Sequence, residues 1–247
     1  TSSLKSSNRI FAELSLLPKE SRWSNFPEVF EYQPFGIHYF NSVYIALLVC
    51  LGTLLVASLA GYAFARMRFL GRSSLFVLLL SSLMMPTEVT IIPNFFLMKW
   101  LNLINTHIPL ILLPVFGSQG VVATFLMRQY FVTLPGELEE AAILDGLGPF
   151  QTFFRIILPI SVPALSAATI LTFLYSWNSF LEPLVFINDL ELFTLPLSLA
   201  NFRDAYGLPL WNLQLAATTL SVLPILLVYV LAQRKITNSM AMSGLKG

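Results

Sequence analysis

Charged residues cut this chain into five long apolar windows: 32–65, 73–98, 100–127, 156–181 and 205–233, the second interrupted only by Glu88. Each exceeds the roughly 20 residues that a helix needs to cross about 30 Å of hydrocarbon. Apolar and polar residues do not alternate inside them as they would in barrel strands, so backbone hydrogen bonding in lipid calls for helices. The composition agrees: 56% of the 247 residues are hydrophobic and 11% are charged, against about 25% charged in soluble domains. The chain is therefore expected to be an all-α polytopic membrane protein with five spans, near 39–66, 73–98, 105–131, 156–181 and 209–233.

Basic residues gather at alternate ends of these windows, and cytoplasmic loops carry such an excess. Arg66, Arg68 and Arg72 follow the first window, Arg128 and Arg155 flank the loop after the third, and Arg234, Lys235 and Lys246 follow the last. The opposite ends hold an arm over 1–36, Lys99, and a connection over 182–204 in which Glu182, Asp189, Glu191 and Asp204 outnumber Arg203. This polarity places the arm outside and the tail over 236–247 in the cytoplasm. Five spans then put Thr1 outside, yet residues 1–31 contain no apolar run that exports them, so a sixth span upstream is expected.

Several functions find no support. A net charge of +1 gives no reason to expect nucleic acid. Single Cys50 and the separated His38 and His107 make neither a disulfide framework nor a zinc site. None of the twelve glycines opens a GxxxxGK[ST] run, so nucleotide that drives this protein binds elsewhere.

Prolines and glycines predict bends. Pro86 and Pro93 should break the second window near its outer end, and Pro114 and Gly117 mark a bend in the third. Gly52 and Gly61 suit close helix contact.

The loop over 133–155 is the most informative polar segment. Thr133 is a plausible N-cap with Pro135 just inside, Glu137, Glu139 and Glu140 favour the positive helix end, and Gly146 supplies a stop, giving a helix of about ten residues. Gly148-Pro149 starts a second helix, Phe150 to Ile157, that enters the membrane at Pro159. So small an elbow cannot bury Leu138, Ile143, Leu144 and Phe153 together. It either docks on a partner or lies on the headgroups, where three glutamates face an anionic leaflet.

The spacing Glu140-Ala141-Ala142, three residues, Gly146, nine residues, Ile156-x-Leu158-Pro159 resembles the motif of ABC importer permeases of the binding-protein-dependent type. Asn41-Ser42, the run from Gly61 to Arg66, Trp177-Asn178 and the terminal Gly244-Leu245-Lys246-Gly247 are similar to the carbohydrate-uptake branch, the maltose-permease-like subunits. The resemblance implies a type I importer fold and a membrane-lipid setting in a bacterial or archaeal cytoplasmic membrane. It implies four partners: a second permease, two ATPase subunits that carry ATP and Mg, and an external solute-binding protein. It also implies roles: Glu140, Ala141, Ala142, Asp145, Gly146, Ile156, Leu158 and Pro159 couple to the ATPase, and Gly244, Lys246 and Gly247 reach it from a tail that otherwise frays. No cofactor belongs to this chain itself.

A sugar path needs polar partners and aromatic faces. Glu88, Asn94, Tyr175, Trp177 and Asn178 are the candidates. Glu88, alone among acids inside a window, either serves that path or reaches outside water beside Pro86, and Trp177 is otherwise an interfacial anchor. The competing class is an ion-coupled secondary transporter, which would show paired ionisable residues at mid-membrane and matching discontinuous helices. A membrane enzyme would cluster histidines or carboxylates at one interface.

Overall fold

The computed structural model of the chain describes the backbone of residues 1–12, 18 and 20–243 and, except at 8 and 231–243, their side chains. A short amphipathic helix, α1 (Asn25–Tyr32), leads into α2 (Phe35–Arg66). At about 1.5 Å per residue its 32 residues reach ~48 Å, more than a bilayer core. Next come α3 (Arg72–Met84), α4 (Thr87–Trp100), α5 (Ile108–Phe116) and α6 (Ser118–Thr133). The elbow helices are α7 (Glu137–Leu144) and α8 (Pro149–Ile160), followed by α9 (Val162–Asn178), short α10 (Leu181–Phe186) and α11 (Leu195–Ala200), and α12 (Trp211–Ser243).

Among the described residues two helices are long and apolar enough to cross a membrane unbroken, α2 and the Trp211–Val230 part of α12, and up to five spans result when each bent pair counts as one. The bends have identifiable causes. The α3/α4 pair turns by 101° at Met85-Pro86, where Pro86 forces the preceding residue into extended backbone. The α5/α6 pair bends by 40° at Gly117. There the backbone closes so tightly that a Cβ on Gly120 would lie 1.9 Å from the Val115 carbonyl oxygen. The third pair, α8/α9, turns by 77° at Ser161, whose hydroxyl donates to the Ile157 carbonyl at 2.6 Å. Pro93 departs from expectation: it lies inside the continuous helix α4, since a membrane helix tolerates a proline that its surroundings support. The helix bend nearest the expected membrane entry at Pro159 falls at Ser161.

α2 is the axial element. Its buried face carries Ala46, Cys50, Thr53, Ala57 and Gly61 at three- and four-residue spacing, the small-residue stripe that lets helix backbones approach in lipid. α6 packs on the Ala57 and Gly61 end of this stripe, and α9 packs at Cys50, whose thiol meets the Thr169 carbonyl at 3.8 Å. The closest approach is at Gly61: a Cβ there would sit 2.9 Å from both the Arg128 backbone nitrogen and the Met127 Cβ. Three clusters of buried apolar side chains lie along α2. One joins α1, α9 and α12 through Phe35, Trp177 and Ala216; another joins α4 and α5 to the segment around Phe186; the last joins α6 to the elbow through Met127, Phe131, Phe153 and Ile157.

The connection between α9 and α12 is fixed to α2 and the α4/α5 turn by polar side chains. His38 Nε2 meets the Leu190 carbonyl at 2.7 Å, and His107 Nε2 the Leu192 carbonyl at 2.7 Å. Between them Asn41 donates to the carbonyls of Glu191 and Phe193 at 2.8 and 3.0 Å. The Ser42 hydroxyl accepts the Leu195 N–H at 2.7 Å. Fully buried Asn25 donates to the carbonyls of Ser3 and Lys5 and accepts from Asn212, tying the arm to α12.

Replacing Gly61 by leucine forces α2 and α6 apart, because two of the three atoms it would meet belong to backbone. Overpacking of this kind costs about 1–3 kcal/mol. The expected outcome is a thermal transition lowered by several degrees for the purified protein in detergent, whereas Gly71→Ala, whose Cβ would touch nothing within 4 Å, pays only for its left-handed backbone. Equal transitions for Gly61→Leu and wild type would refute the close seam.

Candidate coupling elbow and solute cavity

The elbow begins where α6 must stop. Leu134 precedes Pro135 and is held in extended backbone (φ −72°, ψ 142°), so no helix runs through it. Thr133 is thus not an N-cap: it ends α6, its hydroxyl donating to the Tyr130 carbonyl at 2.7 Å. α7 starts at Glu137 behind Gly136 and is eight residues long. Three glutamates in its first turn complement the helix dipole. Its C-terminus closes as a Schellman motif: Gly146, at φ +77°, donates to Ile143 at 3.0 Å, and Leu147 donates to Ala142 at 2.9 Å. α8 then opens with Pro149 in its first turn, and the Gln151 side chain accepts the Gly148 N–H at 3.2 Å.

The motif residues divide by exposure. Glu140, Ala141, Asp145, Gly146 and Pro159 are exposed, Ile156 and Leu158 are half-buried against the inner cluster, and Ala142 is buried at 1%. Ala142 is therefore an internal packing residue, and Ala141 is the small residue left outside. Ile143 and Leu144 are 68% and 89% exposed beside exposed Phe150, whereas Phe153 and Ile157 are buried in the bundle. A single π-turn over Phe153–Ile157 sets these two on the inner side. Phe153 lies 5.0 Å from the Tyr62 ring and 6.3 Å from that of Phe131. The elbow thus has an apolar root in the bundle and an apolar, acidic tip outside it.

An arginine joins the two parts, and nothing in the sequence spacing announces it. Arg66, the last residue of α2, donates from Nε to the Phe131 carbonyl at 3.0 Å and from Nη2 to the Leu134 carbonyl, and its Nε stands 3.9 Å from Glu139 Oε1. The end of one span, the end of another and the first turn of α7 meet at one guanidinium. Arg128 does the reverse, donating to the Phe64 carbonyl of α2 at 3.3 Å with its guanidinium 4.2 Å over the Phe76 ring.

A cavity of about 240 Å³ opens at the α3/α4 break, between α4, the α5/α6 bend and α9. Thr87, Thr90, Asn94, Ser118 and Tyr175 give it hydroxyl and amide groups, and Ile91, Leu113 and Phe116 give it apolar walls. A second cavity of about 340 Å³ shares Thr87 and Tyr175 and adds exposed Glu88 and Asn178. The Asn178 amide nitrogen donates one of its two hydrogens to the Leu174 carbonyl at 2.7 Å. The fold therefore brings together Glu88, Asn94, Tyr175 and Asn178 but not Trp177. At about 100° per residue, two positions from Tyr175 is the opposite helix face. Trp177 is 3% exposed, stacks on Phe173 at 5.3 Å and donates to the Ser221 carbonyl of α12 at 3.2 Å, so it lines neither cavity nor the interface.

Glu182 is the residue that sequence reasoning placed elsewhere, among the outer acids. It is 8% exposed and lines both cavities. Tyr175 donates to one carboxylate oxygen at 2.9 Å and Ser179 to the other at 2.6 Å. Among the described residues no cluster of three His, Cys, Asp or Glu side chains is arranged to hold a metal ion. Gly244, Lys246 and Gly247 lie outside the described residues.

The family model for the binding-protein-dependent transport system inner membrane component matches residues 37–241, from the start of α2 through most of α12. The chain belongs to this family. It is a permease subunit of a binding-protein-dependent importer, and that membership displaces the ion-coupled alternative. It is 36% identical over 246 residues to the probable ABC transporter permease protein YurM of Bacillus subtilis, covering 100% of this chain and 81% of that protein. It is 39% identical over 207 residues to the arabinooligosaccharides transport system permease protein AraQ of Halalkalibacterium halodurans, covering 84% and 73%. The sn-glycerol-3-phosphate transport system permease protein UgpE of Pectobacterium atrosepticum is 36% identical over 230 residues, covering 90% and 81%. In fold, the permease superposes with a TM-score of 0.82 on a chain of a bacterial ABC transporter involved in the import of the acidic polysaccharide alginate. That match has 21% identity over 94% of this chain and 86% of the other.

Arg66→Met leaves two carbonyls without their charged donor, each such bond being worth about 1.5–3 kcal/mol. Hydrogen exchange of the segment from 134 to 147 is expected to rise at least ~10-fold in this variant and less in Glu139→Gln, whose partner is 3.9 Å away. Unchanged exchange in Arg66→Met would show that the elbow is held by its apolar root alone.

Proposed function

We propose that this permease is one of two in an ATP-driven importer of carbohydrate-class solutes, and that its elbow couples the bundle to an ATPase subunit. The supporting observation is the division of the elbow itself: Phe153 and Ile157 are sunk in the bundle while Glu140, Ala141, Ile143 and Leu144 stand exposed at the tip. A force on the tip is passed to the α2/α6 seam through the buried root and through Arg66. In this reading the tip sits in a cleft of the ATPase, with Glu140 toward a cationic or polar group and Ala141 allowing close approach. The basic residues at the elbow side of the bundle favour a cytoplasmic elbow and C-terminus, and the clamped outer connection then faces the solute-binding protein. ATP and Mg reside on the partner subunits.

Coupling of this kind is reciprocal: if ATP binding favours the outward-open bundle, a loaded binding protein that favours that state promotes ATP binding. The solute leaves chemically unchanged. The exposed apolar faces of α3, α4 and α12, which include Val77, Leu78, Ile92, Phe96 and Leu227, meet lipid and the second permease. The carbohydrate assignment draws on a relative named for arabinooligosaccharides and on a cavity that alternates hydroxyl groups with apolar walls.

Glu140→Lys reverses a charge on the exposed tip, and Gly146→Asp puts a side chain on a left-handed position with nothing else within 4 Å. Both variants are expected to insert into the membrane at wild-type levels, to lose solute uptake, and to lose the ATPase subunit when the complex is purified in mild detergent. Normal uptake with the ATPase retained in both variants would sink the coupling assignment.

A further inference from the structure

We infer that Glu182 makes the cavity at the α3/α4 break a subsite for uncharged polyhydroxylated solutes and closes it to anionic ones. This rests on the carbohydrate-importer reading and adds a charge selection made inside the membrane. The carboxylate is buried at 8% exposure, and each of its oxygens accepts one hydroxyl proton, from Tyr175 or from Ser179. An ionised carboxylate offers about four acceptor sites, so two remain for hydroxyl donors of a solute, as charge-assisted hydrogen bonds. The rest of the polar lining, Thr87, Thr90, Asn94 and Ser118, is neutral and both donates and accepts.

What the cavity lacks decides the sign. Among the described residues no lysine, arginine or histidine lines either of the two adjoining cavities, and the one further charged group, Glu88, is of the same sign. A phosphate or uronate drawn into this space meets an unopposed buried carboxylate. At ~5 Å and an effective dielectric constant near 20 that repulsion exceeds a tenfold loss of affinity. A neutral sugar meets only donors and acceptors. Tyr175 and Ser179 hold the carboxylate so that it cannot swing away to outer water, which makes the selection a property of the α9/α10 corner.

The test uses the complete transporter, purified from its native host with its co-purifying subunits and placed in lipid nanodiscs without the external binding protein. Radiolabelled arabinotriose and a tri-uronate of equal length serve as probes. The neutral trisaccharide is expected to bind at least ~10-fold more tightly. Glu182→Gln should shrink that ratio, Tyr175→Phe, which leaves the carboxylate held by Ser179 alone, should shrink it less, and Glu31→Gln on the exposed arm should leave it unmoved. Equal binding of the two probes to wild type, no binding of either, or a ratio unchanged by Glu182→Gln in a complex that still hydrolyses ATP would overturn the inference. A purified complex without an ATPase subunit would instead overturn the importer reading, and the inference with it.

Discussion

The seam between α2 and α6 is the contact on which the other placements depend. Lipid offers no hydrophobic drive for two helices to associate, so backbone proximity and interhelical hydrogen bonds must supply it. Ala57 and Gly61 provide the proximity, and Arg66 and Arg128 provide the bonds, each reaching from one helix to a carbonyl at the end of the other. These guanidiniums bond carbonyls of the last turns, where the helix supplies few donors of its own; the Phe131 carbonyl also accepts the Leu134 N–H at 3.3 Å. With the seam closed, Phe131 and Met127 form a floor on which Phe153 and Ile157 rest. The elbow has no other apolar anchorage of comparable depth, since its own tip is exposed.

From that seam the molecule is organised by its three bends. Ser161 joins the elbow to α9, Gly117 faces the cavity, and the Pro86 break forms the cavity's edge. A break exposes backbone that an unbroken helix would satisfy itself, and at membrane depth such backbone survives where it is buried in protein or lines a polar space. The 101° turn at Pro86 and the hydroxyl-lined cavity are in this sense one feature. α2, by contrast, is unbroken over 32 residues, as an axis for the other elements must be.

How much of this was legible in the sequence follows from the range of the interactions concerned. Helices, their approximate ends and the bends at Pro86 and Gly117 are set by local chemistry, and local chemistry is written in consecutive residues. So is the Schellman turn at Gly146, because few other residues accept φ +77° without strain. The expected cap at Thr133 failed on an equally local ground, the extended backbone that Pro135 imposes on Leu134, which outweighed the hydroxyl's preference. Pro93 failed because tolerance of a proline inside a helix is decided by neighbours that are distant in sequence. The roles of Arg66 and Glu182 escape sequence reading for the same reason: Arg66 reads as the basic end of the first span and Glu182 as one of the acids of the 182–204 connection. The partners that give them their roles, Phe131, Leu134 and Tyr175, are identified only by the fold.

Trp177 and Asn178 show how a motif can be right in place and divided in purpose. Consecutive residues on a helix stand about 100° apart, so they cannot both face a cavity as Tyr175 does. Trp177 takes the inner side, joining α2 through Tyr39 at 5.9 Å and α12 through Ser221, and fixes the rotation of α9 about its axis. Asn178 ends that helix with its side chain turned back on Leu174. Ser179 then accepts extended backbone (φ −62°, ψ 122°), and the chain turns so that Glu182 comes back beneath Tyr175. Among the described residues, the position of the one buried carboxylate lining the cavity at the α3/α4 break therefore depends on a tryptophan that never touches it.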